Sequence, residues 1–194
     1  MSLGINVINV GKITSADLAS MDIETAIMAC QSSRANILEG ELKSQILTIQ
    51  AKNDQVTKLN QTKNALNKVL SKFDSDAKPE AVASKQTAIG SPYTAGTAAY
   101  EANQAIKAAG VNPFGRTQAE LDKSGHVGDL STKADLTAAI DAMKSQIDSL
   151  TNSQQMDMLR LQSLSAKRNE AFEVMTNLMK KFQGPRDSII SNMR

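Results

Sequence analysis

The chain reads as an all-α protein: an antiparallel pair of long coiled-coil-type helices with an irregular, loop-rich insert between them. Three observations predict this. The last third carries an unbroken heptad stripe, the first third carries a weaker stripe of comparable length, and prolines and glycines concentrate in the middle. In the last third, Leu136, Met143, Leu150, Asp157, Leu164, Ala171 and Leu178 recur every seven residues. Ile140, Ile147, Gln154, Leu161, Arg168, Met175 and Phe182 follow four residues after each. Eleven of these fourteen positions are apolar, and no Gly or Pro falls between Leu136 and Phe182. Alternating four- and three-residue steps sustained this long describe a helix that needs a partner along its length. At ~1.5 Å per residue it extends on the order of 70 Å, which suits an extended, assembling protein better than a globular core.

Residues 1–17 carry Gly4, Gly11 and β-branched pairs without helical period, and read as a flexible N-terminal segment. Ser15 or Asp17 is the expected cap of the first helix. From Leu18 the pattern turns helical through Ala26, Ile27, Cys30, Ile37 and Leu38. It meets Gly40, where the helix either continues or bends. Beyond it, Leu42, Ile49, Val56, Lys63 and Leu70 repeat in sevens, with Gln45, Lys52, Leu59, Leu66 and Phe73 three residues on. The first helical region therefore spans 18–73, with polar breaks at Lys52 and Lys63.

Residues 74–130 hold three of the four prolines and six of the ten glycines. This is far more chain than two antiparallel helices need for a connection, and it reads as a surface-exposed insert. Within it, Thr97 to Ala109 is expected to form one short helix ended by Gly110, with turns and no strand pair elsewhere. Asp129, Ser131 or Thr132 is the expected cap of the final helix, and Asp135 lies in its opening turns. Gly184-Pro185 is expected to end that helix, leaving Arg186 to Met193 as a short terminal helix with an apolar patch of Ile189, Ile190 and Met193.

Composition narrows the function classes. Aromatic residues make up 3% of the chain, Trp is absent, and the formal charge is +2. Six dispersed aromatics and so mild a charge do not make a nucleic-acid surface. The basic excess near the end (Arg160, Lys167, Arg168, Lys180 and Lys181 among it) reads as a solvated helix face. The single Cys30 excludes an intramolecular disulfide and a Cys-based zinc site, and is expected to be a small buried hydrophobe. No apolar run reaches the ~20 residues of a membrane span, and the start has no basic leader or cleavage site of the Sec type. His126, the sole histidine, sits in a Gly-rich loop without a nucleophile elbow, an HExxH pair or a phosphate loop. No catalytic residue, cofactor or metal site is expected.

Six of the nine methionines lie between Met143 and Met193. Met158 and Met179, with Phe172, stand one position off the seam and widen the apolar stripe beyond what one partner helix covers. Met side chains suit interfaces that are made and remade. Either a wide core under the insert or a subunit contact accounts for them.

Two blocks carry a resemblance. Gln154-Gln155-Met156-Asp157-Met158-Leu159-Arg160-Leu161-Gln162-Ser163-Leu164-Ser165, continuing as Lys167-Arg168-Asn169-Glu170-Ala171-Phe172-Glu173-Val174-Met175-Thr176-Asn177, resembles the Bordetella-type needle-tip filament protein of type III secretion systems. The closing Ser188 to Arg194 and the stretch Leu18 to Ala35 are similar to that family as well. The likeness covers about residues 15–72 and 130–194 and leaves out the insert.

The resemblance implies a secreted, extracellular subunit at the bacterial cell surface, exported through a type III needle without a cleaved signal. It implies self-polymerisation into a hollow tip filament that conducts effectors toward a translocation pore. The implied partners are further copies of the chain, the needle subunit, the translocator pore proteins and a cytoplasmic secretion chaperone, with no nucleic acid and no membrane span. EspA-like filaments share this logic more distantly. On this reading Leu161, Leu164, Phe172, Met175, Met179 and Phe182 form the self-assembly interface, completed by Ile189, Ile190 and Met193. A small closed needle-tip cap and a cytoplasmic coiled-coil adaptor are the alternatives.

Overall fold

The computed structural model describes residues 22–192, with side chains to residue 182. The fold is all-helical. Helix α1 (Ile23–Leu70) and helix α4 (Lys133–Asn192) are long and pack against each other. Between them lie a 3-10 turn (Ala83–Lys85), α2 (Ala98–Ala109) and α3 (Gln118–Ser124). Among the described residues the only β pairing is one antiparallel bridge between Val82 and Thr132. The described residues divide into two compact units, one of residues 49–156 and one of residues 22–48 with 157–192.

The heptad register of α4 holds throughout. All fourteen seam positions from Leu136 to Phe182 are buried or partly covered, and so are all ten of the Leu42-to-Phe73 series on the first helix region. Gly40 does not interrupt α1. At the other end Gly184-Pro185 does not end α4, which runs on to Asn192. The expected break and separate terminal helix are thus one continuous helix. Pro185 costs the helix the bond its own N–H would donate and crowds the carbonyl four residues back, yet the backbone stays helical to Asn192.

The described start of α1 is capped by Asp22, whose Oδ1 accepts from the amides of Glu24 (3.1 Å) and Thr25 (2.9 Å). The expected caps Ser15 and Asp17, with residues 1–17 as a whole, lie outside the described residues. At α4 the cap is Thr132: its hydroxyl accepts from the Asp135 amide (3.1 Å), and Asp135 Oδ2 accepts from the Thr132 amide (3.0 Å). These bonds hold the Asp135 carboxyl below its ordinary range.

In the 49–156 unit the insert is not a surface appendage. It supplies Ala83, Ile89, Ala98, Ala99, Ala102, Ile106 and Val127 to one core with Leu59, Leu66, Val69 and Phe73 of the first helix region and Leu136, Ala139 and Met143 of α4. Small residues on α2 let it lie close, since Ala98, Ala99, Ala102 and Ala109 are all buried. The Thr62 hydroxyl, itself fully buried, donates to Ala105 O (3.1 Å), and Gln55 Nε2 donates to Ala109 O (3.1 Å). α2 starts at Thr97 and ends at a left-handed Gly110 (φ 65°), as its sequence predicts.

The loop after α3 is fastened from several sides. Asn103 of α2 donates to Val127 O (3.2 Å) and accepts from Val127 N (2.8 Å), which satisfies that backbone and drives Val127 into the core. Arg116 donates to Gly125 O (2.9 Å) and to the Ser131 hydroxyl (2.8 Å), with its guanidinium 5.0 Å from the Phe114 ring centroid. Ser131, fully buried, donates in turn to His126 O (2.7 Å). Gly128 is required there, because a Cβ would lie 2.1 Å from the Ser124 carbonyl oxygen.

Candidate self-assembly surface

In the unit of residues 22–48 and 157–192 the seam is thin. Its buried apolar residues are Ala35, Leu38 and Leu42 of α1 with Leu164 and Ala171 of α4, and Leu161 packs partly against them. Polar side chains occupy the steps between. Gln31 Oε1, Gln45 Nε2 and Arg168 Nε are all enclosed without a hydrogen-bond partner. Such atoms give up water without compensation, so each subtracts from the pairing that encloses it.

The apolar surface left over is extensive. Ile23, Ile37, Ile46 and Leu47 of α1 and Met158, Leu159, Phe172, Val174 and Met179 of α4 are exposed. On α4 they are ordered: Met158, Ser165, Phe172 and Met179 recur every seven residues, one position past the seam. Four residues after the first three of these stand Gln162, Asn169 and Thr176, all uncharged, so a ridge free of charge runs beside the seam. On α1, Ile23, Cys30 and Ile37 recur with the same period, and all three are exposed.

Cys30 is therefore not the buried hydrophobe expected from sequence. Carrying the Leu42/Gln45 register backward lands on Ala35/Leu38 and then on Gln31. Ile37 and Cys30 fall one residue before those seam positions, about 100° around the helix. The early helical pattern merged two stripes into one, and the seven-residue spacing of Ile23, Cys30 and Ile37 was the signal that separates them.

The expected interface residues divide by placement. Leu164 is buried and Leu161 partly covered by α1 of the same chain. Met175 and Phe182 are seam positions, partly covered. Phe172 and Met179 are exposed at 41% and 40%, and retain free apolar area for another molecule. Ile189 and Ile190 lie on the continuous backbone of α4 with side chains outside the described residues, and Met193 lies outside them altogether.

The remaining polar features belong to the other unit. His126 is half-buried, its ring 6.5 Å from that of Phe114 and its Nδ1 enclosed without a partner. Burial, and then the nearby Arg116 charge, depress its pKa. A cleft of about 420 Å³ is lined by Phe114, Arg116, Glu120 and Asp135, a set already bonded among its neighbours. Among the described residues no group of three His, Cys, Asp or Glu is placed to hold a metal ion, and no helix is long and apolar enough to cross a membrane. Comparison of the chain with protein-family models, curated proteins and solved structures gives no match.

Proposed function

We propose that the chain is a structural subunit that polymerises into the extracellular filament at the tip of a type III secretion needle. The observation that carries self-assembly is the uncharged, exposed ridge of Met158, Phe172 and Met179 beside the thin seam of Leu38, Leu42, Leu164 and Ala171. Exposed apolar side chains aligned along one uncharged helix face lose their contact with water on association. The setting at a needle tip rests on the resemblance of the 154–177 block and of the two chain ends. In that setting the subunit conducts effectors toward the translocation pore and meets the needle subunit, the pore proteins and a cytoplasmic chaperone.

The test is electron microscopy with light scattering on purified protein over a concentration series. Filaments whose formation is lost in Phe172→Ser/Met179→Ser, with helicity by circular dichroism unchanged, are expected. A chain that stays monomeric at millimolar concentration rejects the polymer. Closed particles of a few subunits would favour a needle-tip cap.

A further inference from the structure

Resting on that reading, we infer which surfaces of two copies meet: the Met158–Phe172–Met179 ridge of α4 in one copy seats on the Ile23–Cys30–Ile37 face of α1 in the next. Three observations carry the assignment.

The two faces have the same seven-residue period and are both exposed, as two helices packing in the coiled-coil manner require. The segments that carry them are opposite in net charge. Residues 22–48 carry Asp22, Glu24, Glu39 and Glu41 against Arg34 and Lys43. Residues 157–182 carry five bases against three acids, with Arg160, Lys167, Lys180 and Lys181 all exposed. Unlike pairing, α4 on α1, thus gains electrostatically where α4 on α4 or α1 on α1 would lose.

The third observation is Gly40. It lies within α1 at ordinary helical geometry, and a Cβ added to it would meet nothing within 4 Å. The subunit by itself gives no reason for a residue that disfavours the helix. Ala26 and Ser33 precede Gly40 at seven-residue intervals, beside the Ile23–Cys30–Ile37 face. That row of small side chains is a channel in which the bulky ridge of another helix lies close, and Gly40 is its most open point.

Because the mating faces lie on different helices, every subunit offers one and accepts the other. Used head to tail the contact is heterologous, and it propagates into a filament where the rotation between copies does not close and into a ring where it does. A chain of such contacts is what a filament needs.

Cys30, the sole thiol, reads the contact directly. Ser165→Cys, Asn169→Cys and Thr176→Cys would each be oxidised with diamide under assembling conditions. A ladder of dimer, trimer and higher disulfide species is expected from at least one, and adding Cys30→Ser should abolish it. Dimers that persist in the Ser165→Cys/Cys30→Ser chain would show like faces meeting and overturn the inference. So would polymers by light scattering with no ladder at any of the three positions, or a Cys30 bridge to an unrelated protein. Those results leave polymerisation standing, whereas a monomer in light scattering fails the polymer itself. Independently, Gly40→Leu should raise the concentration needed for assembly by roughly tenfold while helicity is kept. Assembly at the wild-type concentration would overturn the close approach at Gly40.

Discussion

The same two helices are used in opposite ways in the two units. In the 49–156 unit α1 and α4 are covered by the insert. Leu59, Leu66, Leu136 and Met143 are almost fully buried, and the buried polar groups Thr62 and Ser131 find partners. Among the described residues of the other unit, 22–48 and 157–192, no segment plays the part of the insert. A two-helix seam then buries one stripe of each helix and leaves the flanks bare, with Gln31, Gln45 and Arg168 each keeping an orphaned polar atom. A helix pair is half of a packing solution. One unit finds the other half within its own chain, and the described residues of the second do not supply it.

The largest effect that tests this contrast is cavity formation. Leu66→Ala, at a fully buried position beneath α2, should cost about 2–5 kcal/mol in urea unfolding. Leu38→Ala, at the rim of the thin seam, should cost about 1–2 kcal/mol, because solvent fills the space that is opened. Equal losses at the two positions would break the contrast. Next comes Asn103→Ala, which leaves the amide and carbonyl of Val127 without partners inside the core. About 2–3 kcal/mol should be lost, with faster amide exchange confined to residues 124–131. Unchanged exchange there would show that Val127 is held by its side chain alone.

The helical pairing was legible because a heptad is a long-range signal. Fourteen positions of α4 agree with one another, and polar members such as Gln154 and Arg168 do not spoil the register. The Thr97 and Gly110 ends of α2 were legible because caps are local chemistry. The role of the insert was not. Its core residues (Ala83, Ile89, Ala102, Val127) are scattered over turns without a period, and only the three-dimensional path brings them together. α3 escaped notice although Thr117 and Glu120 form a capping box at the spacing that marks a helix start. On the candidate surface, Phe172 and Met179 were visible as off-seam residues. The α1 face was hidden because Ile37 and Leu38, neighbours in sequence, belong to different stripes.

A smaller effect sharpens the account of the thin seam. Gln45 is nearly buried and its Nε2 is without a partner, so Gln45→Leu should stabilise the chain by about 1 kcal/mol. Fitted thermal melts at low, monomeric concentration would measure it. A polar seam residue also specifies register at a cost in stability. The leucine variant should therefore gain stability and pair with less fidelity, seen as heterogeneous oligomers by native mass spectrometry. A loss of stability would mean that Gln45 is satisfied in solution and that the seam is not under-packed.

The smallest expected effect concerns pH and separates the units once more, since the only histidine lies in the well-packed one. Burial and the Arg116 charge depress the pKa of His126 from its ordinary value of 6.5, so the folded loop favours the neutral ring. Between the lowered folded value and 6.5 the unfolded chain binds more protons than the folded one. Stability is then complete above pH 6.5 and declines as pH falls through that window. Water reaches half of the ring and screens the charge, which keeps the effect small. Protonation would place a cation beside Arg116 and loosen the loop that Ser131 and Asn103 fasten. Amide exchange at residues 124–131 should accelerate from pH 7 to pH 5.5 beyond its intrinsic pH dependence, while residues 35–42 show no such excess. The His126→Gln chain should lose that excess. An equal response in both segments would assign the pH dependence to carboxylates such as Asp22 and Asp135, whose depressed pKa values act in the same direction but at lower pH.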